Sequence, residues 1–179
     1  MRLFIAITLD ETMKDYIMEV ADRLRLQLKS GGFTLKENLH LTLNFIGETS
    51  RLELVKEAMQ KAVRRTDPGS FTLEIAGFGK FNRREGDICY IGIQKNPTLW
   101  KLQRALVTEL KEAGFEVDDL EYKPHLTLVR RGKFMEGFDE KLFREKVPAH
   151  DMEVTRINLM KSERIQGKLV YTEVYGIEL

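Results

Sequence analysis

The sequence predicts an α+β fold: two pseudo-symmetric lobes of antiparallel sheet, helices packed outside, and a central active-site cleft. Three observations carry this expectation. The tetrapeptide HLTL occurs twice, at His40–Leu43 and His125–Leu128, each time on a strand-like alternation. Strand-like and helix-like stretches are mixed along the chain, with hairpins as well as long crossovers, which favours antiparallel sheets. No linker-like segment divides the 179 residues, so 1–179 reads as a single domain whose two lobes are not sequentially separable.

Each element has its own signature. Arg2–Leu9 is rich in β-forming apolar residues and reads as a strand. Asp10 then caps a helix to about Lys29, with Met13, Ile17, Val20, Leu24 and Leu28 at helical spacing, and Gly31-Gly32 ends it. From Leu39 to Phe45 the chain alternates, with Leu39, Leu41, Leu43 and Phe45 on one face and His40, Thr42 and Asn44 on the other. Gly47 breaks that strand. Leu52–Val63 is a second amphipathic helix, stopped at Asp67-Pro68-Gly69. Strands near Phe71–Phe78 and Ile88–Ile93 flank the loop GKFNRREGD. Asn96-Pro97 opens a third helix bearing Leu99, Leu102, Leu106 and Leu110, ended by Gly114. The second HLTL strand and a basic turn come next. A short helix around Asp139–Glu145 and two strands near Glu153–Met160 and Lys168–Leu179 complete the chain.

Composition narrows the function. Hydrophobic residues make up 42% and charged residues 32%, as in an ordinary globular protein. A formal net charge of +1 gives no global attraction for polyanions, so any such site must be local. Cys89, the single cysteine, forms no intramolecular disulfide and sits at a strand position as a small core residue. The apolar run at the N-terminus is too short for a signal-peptide core, and no stretch approaches membrane-spanning length. A cytoplasmic protein with no membrane association is expected.

Only three histidines occur, His40, His125 and His150, and two of them head the same tetrapeptide. Side chains in a strand alternate faces, so His40 and Thr42 point one way over Leu41 and Leu43, and His125 and Thr127 do the same over Leu126 and Leu128. If the lobes face each other, one cleft holds two imidazoles and two hydroxyls. This suits metal-free phosphodiester cleavage. A neutral imidazole takes a proton from the attacking water, and a protonated one gives a proton to the leaving oxygen. The hydroxyls stabilise charge on the non-bridging oxygens. A zinc site would want three or four ligands, and no HExxH or CxxC pattern accompanies these histidines. His150 could supply a third ligand in principle, but an exposed position after Pro148 is expected. Among the basic groups (Lys80, Arg83 and Arg84; Lys123, Arg130, Arg131 and Lys133; Lys161, Arg164 and Lys168), the one around His125 connects best to the site, Arg130 first, because guanidinium suits phosphate.

At these residues the chain resembles the two-histidine (2H) phosphoesterase superfamily, and within it the RNA 2′,3′-cyclic phosphodiesterases, also called LigT-type 2′-5′ RNA ligases. MRLFIAITL, ENLHLTLNFIGE, GFGKF, KPHLTLVR and SERIQGKLVY fall in that family's order over nearly the whole chain. The resemblance implies a bilobal α+β fold, no cofactor and no metal. It implies hydrolysis of an RNA 2′,3′-cyclic phosphate to a 2′-phosphomonoester, with 2′-5′ ligation as a second activity. His40 would be the proton donor and His125 the acceptor, with Thr42, Thr127 and Arg130 on the phosphate. The implied partner is RNA with a 2′,3′-cyclic phosphate end, tRNA fragments among the candidates, and a monomer is expected. The rivals are a 2H phosphodiesterase acting on a small cyclic nucleotide or 2′-5′ oligonucleotide, and a non-catalytic RNA-binding module. The last would present aromatics on an exposed strand face; Phe4, Phe45 and Tyr90 instead read as lying among core residues. The family's proline-rich stretch after GxF is replaced by Asn82-Arg83-Arg84-Glu85-Gly86, and Tyr90 stands near its usual tryptophan.

Overall fold

The computed structural model describes residues 1–179. In chain order the elements are β1 (Arg2–Thr8), α1 (Glu11–Arg25), β2 (Leu28–Phe33), β3 (His40–Glu48), α2 (Leu52–Thr66), β4 (Phe71–Phe81), β5 (Asp87–Ile93), α3 (Pro97–Glu112), β6 (His125–Phe134), α4 (Glu140–Glu145), β7 (His150–Val154), β8 (Arg156–Ile165) and β9 (Lys168–Glu178). They build two sheets, β3-β1-β8-β9 and β2-β6-β5-β4-β7, with every paired strand antiparallel. The chain passes back and forth between the sheets, and one cluster of 38 buried residues runs through both lobes. The α+β class read from the sequence is the observed one.

The helices begin where side chains can replace missing backbone partners. Asp10 Oδ1 accepts from the Met13 N–H at 2.7 Å, and Asn96 Oδ1 from Leu99 N–H at 3.0 Å, with Pro97 pre-set at the first helical position. Helix α1 buries Met13, Ile17, Val20 and Leu24, while α2 and α3, which pack together, bury Val55, Met59, Leu102 and Leu106.

Several boundaries differ from the sequence expectation. Strand β3 runs through Gly47, at φ 85°, to Glu48, and β4 runs to Phe81, into the expected loop. Helix α1 stops at Arg25, and Leu28 with Gly31-Gly32 belongs to edge strand β2 against β6. The glycines admit a neighbour rather than end a helix: a Cβ on Gly31 would lie 2.6 Å from Val129 Cγ1. The basic turn after the second HLTL is strand, since β6 runs on to Phe134 and absorbs an irregularity at Arg131 (φ 55°). The strand expected over Glu153–Met160 is two strands, because the chain changes sheets at Thr155: β7 pairs with β4 and β8 with β1. Gln166 and Gly167, both at positive φ, turn β8 into β9.

Candidate active site

The two HLTL strands carry the same local device. On β3, Thr8 pairs with His40 and Ala6 with Thr42, but Ile5 pairs with Asn44, so Leu43 is an extra residue in the ladder. On β6, Gly92 pairs with His125 and Tyr90 with Thr127, but Cys89 pairs with Val129, so Leu128 is the extra residue. A bulge of this kind reverses the facing of the residues beyond it. Before each bulge the leucines stay buried: Leu41 and Leu126 are 1% and 0% exposed. After it, the fifth residue from each histidine returns to the cleft side, and those residues are Phe45 and Arg130.

The bulge overturns one expectation. Phe45 is not a core residue: it is 64% exposed and lines the cleft, while Asn44 takes the buried face. Asn44 Oδ1 accepts no hydrogen bond from a protein group there.

His40, Thr42, His125, Thr127 and Arg130 all line one cleft of about 440 Å³, together with Phe81, Arg83, Leu169 and Tyr171. Each imidazole is held by the main chain two residues earlier. His40 Nδ1–H donates to the Asn38 carbonyl at 2.7 Å, and His125 Nδ1–H to the Lys123 carbonyl at 2.7 Å. That leaves Nε2 of each ring free of the main chain. In the neutral ring it is an acceptor.

The surroundings of the two rings differ. His40 Nε2 meets Thr42 Oγ1 at 2.9 Å, and Phe4 and Tyr171 pack on the ring with centroids at 4.9 and 5.1 Å. Asn38, whose carbonyl holds His40, is itself tied by its side chain to the Leu169 carbonyl at 2.9 Å. His125 is flanked by Phe81 at 5.1 Å and Tyr90 at 5.4 Å, and makes no bond to Thr127. Tyr90 stacks on Phe81 at 4.5 Å, over Gly79, where a Cβ would lie 2.6 Å from the tyrosine ring. Of the three aromatics expected among core residues, Phe4 is buried, in a small cluster with Ala6 and Met160 behind His40, Tyr90 is half-buried beside His125, and only Phe45 stands out into the cleft.

Burial pushes both histidines below their ordinary pKa, opposed by the carbonyl bonds to Asn38 and Lys123. The Arg130 charge lowers both further, and His125 adds to the effect on His40. Arg130 forms no ion pair with a carboxylate. Lys80, by contrast, is taken up by Asp87 at 3.2 Å and by Glu140. His150 is outside the cleft: it is exposed on β7 with its ring 3.9 Å from that of Tyr16. Cys89 is fully buried and its thiol is pushed up to about 12, so it behaves as a core residue. Nowhere do three His, Cys, Asp or Glu side chains gather as a metal-ligand set would.

Sequence reasoning missed Tyr122 and Tyr171. Tyr122 Oη donates to the Thr42 carbonyl at 2.9 Å, so the lead-in to the second motif is bonded to the middle of the first. The spacing of an aromatic three residues ahead of His125 is visible in the sequence but points nowhere by itself. Tyr171 could have been found by counting alternation from the Gln166-Gly167 turn, which puts it on the same face as Leu169.

The model of the 2′-5′ RNA ligase superfamily matches residues 14–166 of this chain. The chain belongs to that superfamily. Its relatives include the RNA 2′,3′-cyclic phosphodiesterases of Methanothermobacter thermautotrophicus, 30% identical over 97% of this chain and 96% of the relative, and of Methanocaldococcus jannaschii, 30% identical over 96% of each. Among solved structures, E. coli LigT complexed with NADP+ is similar with a TM-score of 0.78 and 25% identity, covering 99% of this chain and 96% of that one. Within this superfamily member, the paired histidines and threonines lie where both sheets meet.

Proposed function

We propose that this chain, acting as one 179-residue unit, hydrolyses the 2′,3′-cyclic phosphate end of RNA to a 2′-phosphomonoester by two-histidine acid–base catalysis. The observation that carries this reading is the matched anchoring of the two rings: both Nδ1–H groups are committed to backbone carbonyls, leaving two Nε2 atoms in one cleft. A water oxygen attacks phosphorus and gives a proton to neutral His125 Nε2. The P–O3′ bond breaks, and protonated His40 gives its Nε2 proton to O3′. The product keeps phosphate on O2′ and has a free 3′-hydroxyl. Exchange with solvent restores both rings. The donor role of His40 and the acceptor role of His125 follow the family resemblance. Thr42, Thr127 and Arg130 hold the non-bridging oxygens, where negative charge builds up.

The named activity of the relatives supports this substrate class. A second reading, 2′-5′ ligation in which a 5′-hydroxyl replaces water as the nucleophile and O3′ again leaves, is favoured by a groove past His125, lined by Tyr90, Trp100, Lys95 and Lys123, which would receive the 5′-hydroxyl RNA end. The test is product analysis on a short RNA ending in a 2′,3′-cyclic phosphate, with and without EDTA. A 2′-phosphate formed equally well in both is expected; a 3′-phosphate, or loss of turnover on chelation, overturns the reading.

A further inference from the structure

The cleft does not end at His40. Beyond it the groove continues for about 540 Å³ along the first sheet, between β3 and the β8–β9 hairpin. Strand register explains what lines it. Arg2 is two residues from Phe4 on the same face of β1, roughly 7 Å farther from His40 at the usual strand rise. It pairs with Ser162 on β8, which pairs in turn with Tyr171 on β9, while Arg164 pairs with Leu169 one step outward. Arg2 and Arg164 thus project into the groove from neighbouring strands, and Arg130 reaches its inner edge from the second sheet.

The charge in this groove is unbalanced. None of the three guanidiniums forms an ion pair with a carboxylate. The carboxylates beside them are engaged elsewhere: Glu163 is held by Lys161 at 2.6 Å, and Glu48, opposite Arg2 on β3, by the N-terminal amine at 3.3 Å. Arg156, at the other end of the same hairpin, has both Glu173 and Glu178 as partners. Arg164 is oriented by a 3.0 Å bond from Nη1 to the Gly167 carbonyl, with its other donors free. Exposed Phe45 supplies an apolar wall. Unpaired arginines with a protruding aromatic ring form a site for single-stranded nucleic acid: guanidinium for phosphate, and a ring for base stacking.

We propose that this groove is a second subsite, in which Arg2 and Arg164 bind backbone phosphates of the RNA strand 5′ of the cyclic end. The direction rests on the proposed reaction. His40 protonates O3′, so the terminal ribose, and the nucleotides before it, leave the reacting phosphorus on the His40 side. The site therefore discriminates RNA ends from free cyclic nucleotides without touching the reacting atoms.

The test compares a 2′,3′-cyclic mononucleotide with a four-nucleotide RNA bearing the same cyclic end, using wild type and the double variant Arg2→Gln, Arg164→Gln. Both residues are exposed and on strand surfaces, and an unchanged thermal transition checks the fold. For the oligonucleotide, kcat/KM falls about 10–100-fold, the order expected for losing charge-assisted phosphate contacts. For the mononucleotide it is unchanged. The salt dependence of oligonucleotide binding, read by fluorescence anisotropy with a non-reactive 2′-phosphate-ended RNA of the same length, becomes shallower by about 1.4 in log–log slope for two lost contacts. Equal loss on both substrates, or no loss on either, overturns the subsite. Wild type that turns over neither substrate, yet binds the RNA through Arg2 and Arg164, overturns the catalytic reading and leaves the subsite standing. RNA binding indifferent to the double variant overturns the subsite in either case.

Discussion

The two HLTL motifs are the same backbone device carrying different side chains. In both, a carbonyl two residues earlier holds Nδ1, a threonine follows on the same face, and a bulge at the second leucine returns the fifth residue to the cleft. What that device delivers differs. At the first motif it delivers Phe45, beside a His40 bonded to Thr42 and enclosed by Phe4 and Tyr171; at the second it delivers Arg130, beside a His125 whose Nε2 has no protein partner. Repetition therefore fixes where the two Nε2 atoms lie, and the departures from repetition give them different surroundings. One half offers an apolar, enclosed imidazole, and the other an open imidazole with a guanidinium nearby.

The most severe way to break the comparison is to remove one ring at a time. His40→Ala and His125→Ala each lower kcat by about 10²–10⁴-fold with folding intact, whereas His150→Ala changes it little, as befits a ring packed against Tyr16 outside the cleft. Near-wild-type turnover in either of the first two ends the acid–base pairing. pH sharpens the point. Burial, first, and the nearby Arg130 charge hold both imidazoles below the ordinary histidine value of about 6.5. The kcat/KM profile, which reports free enzyme, is therefore a bell lying to the acid side of that value. A bound phosphodiester favours imidazolium, so the kcat profile lies at higher pH, and coincident profiles would remove this account. Both limbs belong to the pair. The same depression sets the sign for stability. The unfolded chain binds these protons first, so the contribution is complete above about 6.5 and is lost as pH falls through the folded-state values. Thermal unfolding as a function of pH reads it.

The next largest effects come from the hydroxyls. Thr42→Val and Thr127→Val each lower kcat more than they raise KM, by roughly 10–10³-fold, if both hydroxyls meet charge that builds in the transition state. The two motifs should differ in one respect. Thr42 is bonded to His40 Nε2, so its loss also moves a limb of the pH profile; Thr127 has no such bond, and its loss leaves the profile in position. Identical pH behaviour in the two variants would mean that this asymmetry of the resting cleft has no consequence during reaction.

These side chains were legible from sequence to different degrees, for physical reasons. Alternation and repetition identified His40, Thr42, His125 and Thr127, because period-two facing is a local property of strands. The sequence pattern puts Phe45 in the core because a bulge, which shifts facing by one residue, leaves no mark in Leu39-x-Leu41-x-Leu43-x-Phe45. At Arg130 the bulge is equally invisible, but the charge beside His125 already points to the cleft that it lines. Gly31-Gly32 reads as a helix stop, though the glycines serve the approach of β2 to β6, a contact between residues far apart in sequence. The change of sheet at Thr155 is likewise a tertiary event. Sequence pattern carries local facing; which strand lies opposite had to come from the structure.

The fifth residues provide a third comparison. Arg130→Ala raises KM for a 2′,3′-cyclic nucleotide by about 10–100-fold, the worth of a charge-assisted bond to phosphate, and leaves the number of pH limbs unchanged because arginine stays charged throughout. Phe45→Ala has a smaller effect on the mononucleotide, since a ring that is 64% exposed stabilises little by burial. If Phe45→Ala cost more than Arg130→Ala on this substrate, the assignment of phosphate binding to the second motif would be wrong.

The smallest effect concerns what keeps the motifs in register with each other. Tyr122 lies three residues before His125 and donates to the carbonyl of Thr42 at 2.9 Å; Trp100 packs on its ring at 5.6 Å. Burial pushes its phenol well above the usual tyrosine range, so the hydroxyl remains a donor wherever the enzyme works. Tyr122→Phe keeps the ring and its packing but deletes the donor and leaves the Thr42 carbonyl without that bond. A net loss of about 0.5–1.5 kcal/mol in stability is expected, the range for one intramolecular hydrogen bond. A merely structural role would stop there. A positioning role adds a several-fold fall in kcat with KM nearly unchanged, because the distance between two proton-transfer partners matters only as the transition state forms. Combined with Thr42→Val, Tyr122→Phe should then cost less than the sum of the two, since both act on the same stretch of β3. Additive losses, or a stability change without a change in kcat, would make Tyr122 a packing residue and leave the two motifs joined by their shared core alone.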